Sequence, residues 1–334
     1  MPVTVERARR IQFGKQTTFD TAVPATFRYS GDLDWKEEID YYEPDYPQGV
    51  RGQTIGQLVI TRNGFTGTFN AEATFEESNL FFAAALKGGV VAVGAGTDKT
   101  WTYTPPPTGD PAPSYISAEY SLNDFTTDYG RKVSNILVDK ISYKFTINAP
   151  ATMSVSLFGG KVTAAAPTAA LTVLPSREAI ASNSLKIYAD SAFAGLGTTQ
   201  FVGNVISCDI DLMGGLRGDY TLQGRAGLDY AQYLFGDIGI MAKVTLEYNA
   251  QANTEFTNWR TGVARYMRFI ATGTVVGSAV KTLKIDCAME LVAQSTIGKA
   301  NGNDIAVFTY KGKYSSTAAY IFSAVLINGQ ATLT

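Results

Sequence analysis

The sequence predicts a mainly β protein: a sandwich or barrel with one short helix per module, built as two tandem copies of one module. Three observations predict it. The chain has 334 residues, beyond the ~150 typical of one domain. Its 18 Tyr, 18 Phe and 32 Gly favour strands joined by tight turns, and 45% hydrophobic residues suffice for a core. A passage also recurs. Thr66–Asn79 (TGTFNAEATFEESN) lies 179 positions before Thr245–Asn258 (TLEYNAQANTEFTN), with six of the fourteen positions identical.

The elements follow in order. Arg7, Arg9, Arg10 and Lys15 read as a basic N-terminal arm. Asp32, Asp34, Glu37, Glu38, Asp40, Glu43 and Asp45, relieved only by Lys36, read as a solvated acidic loop. A strand opens at Leu58–Thr61, and the recurring passage begins with a strand that ends in Phe69. Thr74 or a neighbour then caps a helix over Phe75–Leu86, with Glu76 and Glu77 in its first turn and Gly88 as its stop. Gly88, Gly89, Gly94, Gly96 and the run Pro105–Pro113 form an inserted loop, since proline cannot donate to a ladder.

Strands are expected at Trp101–Tyr103, Ser117–Leu122, Leu137–Ile147 and Met153–Phe158. The small-residue stretch Ala164–Ala170 marks the join, giving modules 1–165 and 166–334. The second module is expected to use strands at Leu185–Tyr188, Val205–Leu212, Val244–Tyr248, Tyr266–Ala271, Ile305–Tyr310 and Tyr320–Ile327. Its helix is expected to be capped by Thr254 and to end near Gly262. Lys140–Ile147 also matches Lys284–Leu291 in its alternation, 144 positions on. The drop of 35 between the two offsets is the length assigned to the inserted loop.

Composition excludes most catalytic chemistry. There is no histidine, so Ser-His-Asp and Cys-His arrangements and His-ligated zinc are ruled out. Cys208 and Cys287 sit in alternating runs as buried hydrophobes and are too few for a disulfide framework. Gly88-Gly89, Gly159-Gly160 and Gly214-Gly215 lack phosphate-loop spacing. The acidic stretch lacks the apolar surroundings that raise a catalytic carboxyl, and it lacks calcium-loop spacing. No enzyme and no cofactor is expected. A net charge of −2 excludes a strongly basic nucleic-acid binder. The longest apolar run, Leu80–Leu86, is far short of a membrane span, so no membrane partner is expected, and the N-terminus lacks a signal-peptide pattern.

Basic arm and acidic stretch together suit a head-to-tail interface between copies. The candidate assembly residues are therefore Arg7, Arg9, Arg10, Lys15, Asp32, Asp34, Glu37, Glu38, Asp40, Glu43 and Asp45.

The segment Ile11–Thr26 (IQFGKQTTFDTAVPAT) resembles the opening of tail tube (major tail) proteins of siphovirus-type, long-tailed bacteriophages. Arg51-Gly52, Gly64–Phe69 with Ala73–Glu77, Trp101–Pro105, and Tyr248–Ala252 with Phe256–Thr261 are similar to later passages of that family. The resemblance implies a structural virion protein of the tail, synthesised in the host cytoplasm. It implies rings that stack into a tube, a lumen lined by strands of every module, and ejection of double-stranded DNA without specific binding. Tape measure protein and other tail proteins are the implied partners. Single-module members form six-subunit rings, so two modules per chain imply trimeric rings with pseudo-sixfold symmetry, with hexameric rings as the alternative. The competing readings are another β-rich virion component (distal tail, decoration or hub protein) or a non-catalytic binding module. The scatter of Trp35, Trp101 and Trp259 weakens the latter.

Overall fold

A computed structural model describes residues 9–43, 58–86, 96–110, 112–123, 128–201, 205–221, 228–294, 297–300 and 302–333. Arg7, Asp45, Arg51, Gly52, Gly88, Gly89 and Gly94 lie outside them. The fold is mainly β, as the composition predicts. The first half contains β1 (Arg10–Gln16), β2 (Phe27–Tyr29), β3 (Asp32–Tyr42), β4 (Val59–Glu72) and α1 (Ser78–Ala85). It continues through β5 (Lys99–Tyr103), β6 (Tyr115–Asn123), β7 (Asp128–Thr146), β8 (Thr152–Gly159) and β9 (Val162–Ala164). The second half contains β10 (Lys186–Asp190), β11 (Val205–Met213), β12 (Leu216–Asp219), β13 (Gln232–Phe235), β14 (Gly239–Glu247) and α2 (Ala250–Thr261). It ends with β15 (Arg265–Val276), β16 (Ala279–Gln294), β17 (Gly298–Ala300), β18 (Asn303–Gly312) and β19 (Phe322–Asn328).

Two expectations are corrected here. Arg10 and Lys15 belong to β1 rather than to an arm. Ile11 and Phe13 alternate into the core, and β1 pairs with both β2 and β6. The acidic stretch is no loop over residues 32–42 either, whereas Glu43 lies just beyond the strand. Asp32–Tyr42 is a strand paired along its length with β4, and its odd positions Leu33 and Trp35 turn towards the core.

Both halves follow one pairing order. In the first it runs β3, β4, β8, β7, β6, β1. In the second it runs β11, β14, β18, β16, β15, β10. In each half a helix follows the second strand of this order. Before α1, Thr74 Oγ1 accepts from the Glu77 amide at 3.0 Å and donates to the Glu77 carboxylate at 3.1 Å, closing a turn; the helix itself opens at Ser78, three residues later than expected, so Glu76 and Glu77 precede its first turn. Before α2 the cap is Asn249, whose Oδ1 accepts from Ala252 at 3.1 Å. Thr254 therefore lies inside the helix and bonds back to the Ala250 carbonyl. Gly262, at φ +66°, closes α2 in the left-handed conformation that favours glycine.

The side chains that accept from a backbone amide ahead of each helix, Thr74 and Asn249, are 175 positions apart, four fewer than the 179 of the sequence match. The ladders carry this spacing onward. Gly67 pairs Leu157 and Ala242 pairs Tyr310; Leu157 pairs Val138 and Tyr310 pairs Leu291. Val138 thus corresponds to Leu291, 153 positions on, whereas the sequence match placed this strand at 144. A β-bulge follows at the next residue in both halves, Asp139 and Val292.

The core is continuous across the halves. Phe13, Tyr29, Phe69 and Phe81 meet edge-on or tilted, with centroids 5.0–6.3 Å apart. Every residue of α1 is buried. The helix is sealed in part from the second half, because β19 pairs β5 and Asn328 Nδ2 donates to the Phe75 carbonyl at 2.8 Å. In α2 only Ala252, Glu255 and Phe256 are buried.

Candidate functional site: the polar face of the long sheet

The joint between the halves is a strand pair. β11 runs antiparallel to the last part of β7, from Ser207 opposite Thr146 to Met213 opposite Lys140. This joint fuses the two half-sheets into one run: β3, β4, β8, β7, β11, β14, β18 and, beside β18, the end of β16 with β17. One face carries Phe65, Phe69, Val155, Ile141, Tyr143, Cys208, Ile210, Val244 and Phe308, all buried. Alternation puts the other side chains on the opposite face, which among the described residues no helix covers, although the β12–β13 hairpin reaches over part of it, with Tyr220 against Arg62 and Tyr230 against Phe158.

That face is hydroxyl-rich and charge-balanced. Thr66, Thr68, Ser142, Ser154, Ser156, Ser207 and Thr309 lie on it. Its cations, Lys36, Lys140, Lys144, Lys243 and Lys311, are interleaved with Asp32, Asp34, Glu38, Asp209, Asp211 and Glu247. Several are neutralised in place. Lys140 lies 2.9 Å from Asp211, which also accepts from Ser142 at 2.6 Å, and Lys36 lies 3.1 Å from Glu38. Lys144 stands directly opposite Asp209. Glu38 also meets Arg62 at 2.8 Å, and its carboxyl sits below the usual range: burial opposes this, but the hydrogen bonds and cations outweigh it.

The described candidate assembly residues fall into three groups. Arg9 and Asp32 meet within one chain at 3.0 Å, and Asp40 meets Arg62 at 3.0 Å. Asp34, Glu37 and Glu43 are exposed. Arg10 and Lys15 are held on β1. Sequence reasoning missed Arg62, Lys140, Asp209 and Asp211. The alternation in 140–146 and 207–213 was visible, but their mutual register was not. Cys208 and Cys287 are both buried, and burial pushes both thiols up, away from thiolate reactivity. Among the described residues no His, Cys, Asp and Glu side chains cluster in metal-binding threes.

Among the described residues β3 pairs only with β4 and β17 only with β18, so the run presents a strand edge at each end beside its balanced polar face. A family model described as phage tail tube protein matches residues 7–303, nearly the whole chain. No curated protein matches the chain. The family is one of structural, non-enzymatic components of the virion tail that self-assemble into a tube with other tail proteins. On this match, and on a mainly β fold of the expected kind, the chain belongs to the phage tail tube protein family.

Proposed function

We propose that this protein polymerises as stacked rings of three chains, and that the tube so formed conducts double-stranded DNA into the host. The observation that carries the proposal is the continuous sheet with one hydroxyl-rich and charge-balanced face. The shared pairing order of the two halves supports reading the chain as two copies of one module, and hence three chains with pseudo-sixfold symmetry. Three chains supply about 24 strands, more than the 16–18 that already leave an aqueous channel. The polar face then lines the lumen. Phosphates gripped by unpaired Lys or Arg release counterions and bind tightly, which would arrest a moving duplex. Cations already matched by Asp211 or Glu38 do not grip.

A tape measure protein would occupy the same lumen before ejection, and synthesis in the host cytoplasm precedes assembly. Electron microscopy of the purified protein at high concentration tests the proposal. The expected outcome is hollow rods whose end-on class averages have three chains and six similar lobes. Discrete rings that never stack would favour a hub, and monomers at every concentration would sink the proposal.

A further inference from the structure

We infer that the ring closes by a β-ladder between β3 of one chain and the end of β16 with β17 of the next, repeating the β7·β11 joint inside each chain. The inference rests on the reading above that copies of this chain form rings.

The long strands supply the first argument. β7 pairs with β6 up to Ile136, passes its bulge at Asp139, and from Lys140 onward takes β11 as its new neighbour. β16 pairs with β15 up to Met289 and passes the corresponding bulge at Val292. Beyond it, among the described residues, that side has no strand beside it. The vacancy is the counterpart of the position β11 fills. β11 itself corresponds to β3, since Cys208 pairs Val244 where Leu33 pairs Phe69. β3 pairs only with β4 among the described residues, so one of its edges is open as well.

Burial supplies the second argument. Across the internal joint Ile141, Tyr143, Ile210 and Leu212 are all at most 1% exposed. At the open edges Trp35 is only half-buried, and Val292 and Ile297 are 46% and 52% exposed. Long uncovered edges invite pairing with another chain. The third argument is α2. It packs over β16 as α1 packs over β7, yet it leaves Tyr248 and Trp259 exposed where α1 is sealed all round. A neighbour docked at the β16 edge reaches the same side.

Transferring the internal register fixes the pairs. Met213 opposite Lys140 becomes Glu38 opposite Ala293 of the neighbouring chain. Asp209 opposite Lys144 becomes Asp34 opposite Gly298 of the neighbouring chain. Directly opposed residues of an antiparallel pair have Cα atoms about 4.5–5.5 Å apart, within disulfide reach.

The test is oxidative cross-linking of assembled protein carrying D34C with G298C, or E38C with A293C, against each single variant. A side chain at Gly298 is accommodated, its nearest neighbours being Ile305 atoms at 3.7 and 3.9 Å. The buried native thiols stay silent. The paired variants are expected to give covalent dimers and closed trimers on a non-reducing gel, and the single variants monomers only. Rods that form without cross-linking in either pair overturn the joint and leave the tube reading intact. A wild-type protein that never forms rings or rods overturns both.

Hydrogen exchange on the wild type needs no variant. On assembly, amides of 32–38, 293–294 and 298–300 should slow by about 10-fold or more, and unchanged exchange there overturns the joint.

Discussion

Lys281 on β16 is almost fully buried, and its ammonium lies 2.6 Å from Glu76, 3.2 Å from Glu178 and 2.5 Å from the Ser176 carbonyl. One side chain thus ties the turn before α1, the segment joining the halves, and the second half's long strand. Burial raises the Glu76 carboxyl, with Lys281 acting against it. Lys281→Met should therefore leave a buried carboxylate unpaired and cost about 3–5 kcal/mol, read as a lowered midpoint in denaturant unfolding. Glu119 on β6 behaves oppositely. Burial would raise it, but Lys132 at 2.8 Å, Thr168 at 2.5 Å and 2.8 Å, and Ala25 at 3.3 Å together hold it below its ordinary 4.5. A carboxyl depressed in the fold stabilises above its unfolded value, and that stability is lost as pH falls through the folded value. The melting temperature should thus decline below about pH 4.5, and Glu119→Gln should flatten that decline while lowering stability at neutral pH. A parallel slope in the two proteins would count against this account.

The elements divide by how locally their signals are written. Met153–Phe158 was legible because Met153, Val155 and Leu157 alternate with Ser154 and Ser156, and the strand takes that register. The first helix was legible from its apolar run, but its start was not, because Thr74 closes a turn over 75–77 and the helix opens only at Ser78. The strand Asp32–Tyr42 was not legible. Its carboxylates masked the apolar alternation of Leu33 and Trp35, and it is a strand because β4 lies beside it. Tertiary pairing overrode local composition there. The polar face was hidden for the same reason, since Lys140 and Asp211 are 71 residues apart in sequence and meet only through the β7·β11 joint. The second helix was read from the wrong cap because Thr254 and Asn249 are both capping residue types, and only the hydrogen bond to Ala252 decides between them. Asn249→Ala should cost about 1 kcal/mol. Gly262→Ala should cost a similar amount, about 1–2 kcal/mol, by forcing a Cβ into left-handed backbone at φ +66°. Both are measurable by denaturant titration, with Thr254→Ala as the control that costs less.

At the scale of the whole molecule, the DNA passage we propose along the polar face should be sensitive to added cations rather than to lost ones. Ser154→Lys with Ser156→Lys places two ammonium groups on that face opposite Asn70, Thr68, Ser142 and Lys140, with no carboxylate directly across from them. Assembly should be unchanged by microscopy, while ejection from particles carrying the variant should slow at low salt and recover as salt rises. Ejection indifferent to these charges would remove the low-adhesion argument. The β7·β11 joint carries a different consequence, one of parity. Because two half-sheets share one backbone, a ring we propose can gain or lose them only in twos, so five- and seven-lobed assemblies are excluded by covalent connectivity. Every second seam is also formed before any encounter, at the high effective concentration that tethering provides. Only the alternate seams must then be found by diffusion, and since the last seam closes within the assembled chains, a three-chain ring needs two collisions where six separate modules would need five.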